Sequence, residues 1–81
     1  MNRDTIAAIA TPPGVGGIAT LRLSGRDALE IAQRHLSAPL TPRRATYCRF
    51  DNLDEVVATF FPAGYTGEPT VEITLHGSLY I

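Results

Sequence analysis

Short runs of apolar and alternating residues, cut by glycine and proline, set the pattern of this chain. Thr5–Ala10 is an apolar run closed by Thr11-Pro12-Pro13-Gly14, and it reads as a buried strand. Ile18–Leu23 reads as a second strand. Ala19, Leu21 and Leu23 share one face, and Ile18, Thr20 and Arg22 share the other. Between them, Gly14-Val15-Gly16-Gly17 makes a flexible turn.

Ser24-Gly25-Arg26-Asp27 then reads as a helix start, with Ser24 as the cap and Asp27 completing a variant capping box. Ala28, Leu29, Ile31, Ala32 and Leu36 mark an apolar helical stripe. Arg34 and His35 are expected in the last turn, where the helix dipole favours cations. Ser37–Pro42 reads as a linker. Ala45–Phe50 alternates, Asp51-Asn52 breaks it, and Glu55–Phe61 is a strongly apolar strand stopped by Pro62. Ala63–Gly67 reads as a loop. Val71–His76 alternates with Val71, Ile73 and Leu75 inward and Glu72, Thr74 and His76 outward. About five strands and one helix predict an α+β fold with an antiparallel or mixed sheet. The last strand is followed only by Gly77–Ile81, which predicts that it lacks cover and that the chain stops early.

Composition narrows the function classes. The 81 residues make one small domain at most, and such a domain buries only about 60% of its unfolded surface. Seven Arg and no Lys against eight acidic residues give a net charge of −1, which excludes nucleic-acid or membrane binding driven by net charge. A single cysteine, Cys48, excludes an internal disulfide and a multi-cysteine metal site, and fits a reducing compartment. No run approaches the roughly 20 apolar residues of a membrane span. The amino terminus reads as neither a signal nor a transit peptide. A soluble, cytoplasmic domain is the expectation.

Few residues carry candidate chemistry. The loop at Gly14–Gly17 is followed by no Gly-Lys-Ser/Thr and leads into a strand, so a strand connection fits it better than a phosphate cradle. Arg22 and Glu72 each lie on the polar face of a strand. Were the strands in one sheet, the pair would flank one pocket. Glu72 could accept parallel hydrogen bonds from an amidine-like edge, as in a pterin, and Arg22 could hold a carboxylate or carbonyl. The plain alternative is two solvated sheet residues. His76 and Cys48 read as structural, and two histidines without clustering argue against a metal site.

Residues Asp4–Gly14, Gly16-Gly17-Ile18 and Leu21-Arg22-Leu23-Ser24-Gly25 closely resemble the amino terminus of the MnmE/TrmE family of tRNA-modification GTPases. Phe61-Pro62, Tyr65-Thr66-Gly67-Glu68, Val71-Glu72-Ile73 and His76-Gly77 match the same family in the same order, so the resemblance runs from Asp4 to Gly77. It implies a domain related to the folate-binding domain of the glycine-cleavage T-protein. It implies binding of 5-formyl- or 5,10-methylene-tetrahydrofolate, with Arg22 and Glu72 on the folate-contacting positions. It also implies a homodimer, and, in the full-length family, an MnmG-like flavoprotein partner and tRNA engaged through the full complex. GTP, K+ and Mg2+ would belong to a GTPase domain for which these 81 residues hold no motif, so no GTPase activity and no catalytic residue is expected here. Val15 stands where the family usually has Arg, and after Gly77 the family's usual Gly-Pro is replaced by Ser78-Leu79. Residues 1–81 therefore read as an incomplete amino-terminal domain. The alternatives are a structural interaction fragment without a ligand, or an inactive gene remnant.

Overall fold

The structure is a computed structural model, and it describes residues 6–11, 18–52, 54–64 and 67–76. The elements are β1 (Ile6–Thr11), β2 (Ile18–Ser24), α1 (Ala28–Gln33), β3 (Thr46–Phe50), β4 (Asp54–Phe61) and β5 (Thr70–His76). The strands form one sheet in the order β1-β2-β5-β4-β3, and every neighbouring pair is antiparallel. The sheet is therefore antiparallel and not mixed, and the fold class is α+β.

Alternation explains the layering. Leu23 of β2, Val56 and Ala58 of β4, Cys48 of β3 and Val71 and Ile73 of β5 are all buried. Period-two geometry puts these residues on one face. α1 packs on that face against β2 and β5. Six residues are too few for a helix to persist alone, so packing holds this one. Ala28 and Ala32 are its buried positions, and their small side chains let the helix approach the sheet closely.

Several expectations change at the helix. Ser24 does not cap it, because Ser24 is the last residue of β2 and is register-paired with Thr70. The N-cap is Asp27, whose side chain makes no cap hydrogen bond. Gly25, at φ 132°, turns the chain between strand and helix, in a conformation open to glycine but costly for other residues. Its amide donates to the Pro69 carbonyl at 2.9 Å. The helix ends at Gln33, with Arg34 as C-cap and no basic residue in its last turn, so Leu36 and His35 lie beyond it. Leu36 is still buried, but through a bridge to Phe50 of β3.

The expected linker pairs as well. Ser37 N–H donates to the Arg49 carbonyl at 2.9 Å, and Arg49 N–H donates to Ser37 Oγ at 2.8 Å. Residues 36–37 thus blunt the outer edge of β3, which otherwise presents open backbone groups. Gln33 fixes the next stretch: its Nε2 donates to Ala38 O at 3.0 Å, and its Oε1 accepts from Leu40 N–H at 2.8 Å.

β5 is likewise not an uncovered last strand. It lies at the centre of the sheet between β2 and β4, and its inner residues Val71 and Ile73 are 0% and 1% exposed. Chain order misleads here, because β5 inserts between strands made earlier. Gly14–Gly17, Tyr65-Thr66 and Gly77, singled out in the sequence, lie outside the described residues.

Candidate functional site

β2 and β5 run antiparallel, and their register sets Arg22 directly opposite Glu72. A one-residue slip would carry Leu21, Leu23, Val71 and Ile73 out of the core, so the core enforces this register. Arg22 and Glu72 therefore project from the face opposite α1. Two donors of the guanidinium converge on one carboxylate oxygen: Arg22 Nε lies 3.0 Å and Nη2 2.8 Å from Glu72 Oε2. The side chains are 34% and 23% exposed, so the pair is half-buried and not freely solvated. A cross-strand charge pair of this kind contributes about 0.2–1 kcal/mol to folding. Its chemical interest is a carboxylate oriented on an open sheet face.

The same row continues on both sides. Ala8 of β1 pairs with Arg22, and Thr59 of β4 pairs with Glu72. Two residues further along both strands, Phe61 pairs with Thr70. Phe61, Ala63, Gly64 and Thr70 line a hollow of about 270 Å³ there. Gly64 keeps it open, since a Cβ at that position would collide with the Thr70 hydroxyl. Next to the ion pair on the other side, the face carries Thr20 and Thr74, paired in register, and then Val57 and Tyr47. Tyr47 is 66% exposed and Val57 38%, which leaves apolar surface on this face. The Tyr47 hydroxyl donates to the Glu55 carboxylate, and this bond raises the phenol's pKa above its ordinary value.

The structure thus brings together the two residues singled out in the sequence. His76 is paired with Ile18 in the backbone register, and its side chain lies outside the described residues. Cys48 is a buried free thiol in the core, as a packing residue would be. Among the described residues, no group of three or more His, Cys, Asp and Glu could hold a metal ion. No described helix is long and apolar enough to cross a membrane.

One cluster was not foreseen. His35 Nδ1 lies 2.9 Å and 3.1 Å from the Asp51 carboxylate oxygens. Its ring stacks on Phe50, with centroids 5.5 Å apart and planes 10° from parallel. Asp51 N–H also donates to the His35 carbonyl at 2.7 Å. Asp51 and Asn52 sit at φ 53° and 60°, which Asp and Asn tolerate better than most residues. The only sequence signal was the Asp51-Asn52 turn; nothing marked its tie to a histidine 16 residues away.

Comparison with known proteins gives this geometry its context. Residues 5–81 match the family described as "GTP-binding protein TrmE N-terminus". The chain is 49% identical to "tRNA modification GTPase MnmE" of Francisella tularensis subsp. holarctica (strain FTNF002-00 / FTA), over 98% of its own length and 19% of that protein. It is 47% identical to the protein of the same name from Francisella philomiragia subsp. philomiragia, with the same coverage of each chain. The chain therefore spans about a fifth of the length of these relatives. Arg22 and Glu72, the oriented pair on the open sheet face, both fall inside the matched region, and the chain belongs to the TrmE amino-terminal family.

Proposed function

We propose that this chain is a tetrahydrofolate-binding and homodimerisation module of a cytoplasmic tRNA-modification GTPase. The observation that carries the folate reading is the cross-strand juxtaposition of Arg22 and Glu72 on the sheet face opposite the helix. A half-buried, oriented carboxylate suits the N–H donors of a pterin ring, and the hollow at Phe61 and Thr70 offers apolar surface one step away. Membership of the TrmE amino-terminal family, a domain that the sequence resemblance relates in fold to the folate-binding domain of the glycine-cleavage T-protein, supports the same ligand class, as 5-formyl- or 5,10-methylene-tetrahydrofolate. The exposed Tyr47 and Val57 on the open face support pairing with a second copy. Such a module would position the one-carbon donor, and the cofactor would supply the chemistry. GTP hydrolysis with its K+ and Mg2+, the MnmG-like flavoprotein and tRNA would belong to the longer protein.

A calorimetric titration with 5-formyltetrahydrofolate, with the oligomeric mass measured in the same buffer, tests this. Saturable binding by a dimer is expected. A folded chain that binds no folate would leave the exposed face to the second reading, an interaction fragment without a small-molecule ligand.

A further inference from the structure

The rim of the sheet carries a second hollow, of about 170 Å³, lined by Arg34, His35, Ser37, Arg49, Asp51 and Asn52. Hydrogen bonds tie its walls together, from Ser37 N–H to the Arg49 carbonyl at 2.9 Å and from Arg49 N–H to Ser37 Oγ at 2.8 Å. The His35–Asp51 contact and the bond from Asp51 N–H to the His35 carbonyl join them again. The fold thus builds this hollow in advance of any ligand, which lowers the ordering cost of binding.

Its charges are not balanced. Arg49 stands opposite Glu55 in the β3–β4 register, yet that carboxylate accepts from the Tyr47 hydroxyl and makes no ion pair with Arg49. Arg49 Nη2 donates only a long bond, 3.3 Å, to the Asn52 carbonyl. Arg34 Nη2 reaches Glu30 at 3.2 Å in an exposed i,i+4 pair, a contact of little strength. Most N–H donors of both guanidinium groups therefore have no acceptor among the described residues. Asp51, the one acidic residue among the described lining, faces His35 Nδ1. The Ser37 hydroxyl accepts from the Arg49 amide, which leaves its own hydrogen to donate.

We infer that this hollow binds a phosphate group, whose oxygens accept from the guanidinium groups of Arg34 and Arg49 and from the Ser37 hydroxyl. Planar guanidinium forks match phosphate oxygens in pairs. A free phosphate and a phosphate of an RNA backbone share this chemistry. The site lies at β3, the outermost strand, and not on β2 and β5, so it does not depend on the folate reading.

Backbone amide shifts of the full chain, followed by NMR, test this in two arms: inorganic phosphate, and a short uridine oligonucleotide without terminal phosphates. Saturable shifts centred on residues 34–37 and 49–52 are expected, with the dissociation constant raised about tenfold by Arg34→Gln or Arg49→Gln. Arg44→Gln removes an equal charge from an exposed residue outside the hollow, and is expected to change it by less than about twofold. Shifts with the oligonucleotide support the site and assign it to a backbone phosphate; shifts with inorganic phosphate alone support it and assign it to a free one. No saturable shift at these residues in either arm overturns the inference. An equal loss from Arg44→Gln also overturns it, since net charge would then account for the binding. The native titration decides the matter should a variant fail to fold.

Discussion

Two polar side-chain pairs of nearly equal length tie parts of this small molecule together, and they do different things. Arg22 and Glu72 meet at 2.8 Å on the flat of the sheet, with side chains 34% and 23% exposed. His35 and Asp51 meet at 2.9 Å at the rim, where the helix exit crosses the β3–β4 turn, and are 45% and 41% exposed. The rim pair is reinforced by a backbone bond between the same two residues and by the stacked Phe50 ring. Every contact of that cluster joins one piece of the chain to another, so it reads as a clasp. The sheet pair has a core behind it that already fixes the register, so the fold does not need the charges to align the strands. That leaves the charges of the sheet pair available for the proposed ligand contact. Contact distance alone would not separate the two.

The core behind the sheet pair gives the largest expected effect. Ile73, next to Glu72 in β5 and 1% exposed, is one of the largest fully buried side chains. Ile73→Ala should destabilise the domain by about 2–5 kcal/mol in chemical denaturation, through lost transfer energy and a cavity. Folate affinity should fall with it only as far as the folded fraction falls.

Glu72→Gln comes next. It should weaken 5-formyltetrahydrofolate binding at least about tenfold, because hydrogen bonds to a charged partner carry about 1.5–3 kcal/mol. Its cost to stability should stay within about 1 kcal/mol, the range for a partly exposed pair.

Breaking the clasp should give the opposite pattern. Asp51→Asn removes the carboxylate facing His35 and keeps an αL-tolerant side chain at φ 53°. Denaturant melts should show a loss of about 0.5–1 kcal/mol, with folate affinity unchanged within error. A tenfold loss of folate affinity from Asp51→Asn would erase the distinction drawn between the two pairs.

The smallest effect concerns the exposed hydroxyl of Tyr47. Its bond to Glu55 raises the folded-state pKa above the ordinary value of 10.0, so the neutral phenol is favoured in the folded chain. The linked stability is present in full below the unfolded pKa and is lost as pH rises through the raised folded one. Ultraviolet titration should find one phenol ionising late, and Glu55→Gln should bring it back toward the ordinary value.

Much of the sheet was legible because alternation is a local signal. Leu23, Val71 and Ile73 on one face, with Arg22 and Glu72 on the other, follow from period two alone. That Arg22 and Glu72 would meet was not legible, since pairing of β2 with β5 is set by topology across 50 residues. The strand order hid β5 in the sheet's centre for the same reason. The helix boundary misled because Leu36 is buried by a bridge to Phe50 and not by helical periodicity. Ser24 looked like a cap because Ser is a common cap, but its place in β2 took precedence. The clasp was silent in the sequence, since a histidine and a turn aspartate carry no spacing rule that joins them.

The most direct measurement titrates native chain, Glu72→Gln and Asp51→Asn side by side with 5-formyltetrahydrofolate in one calorimeter buffer. The account predicts saturable binding by the native chain and by Asp51→Asn, weakened at least about tenfold in Glu72→Gln. Equal affinity for all three folded chains, or no binding by any, would contradict it.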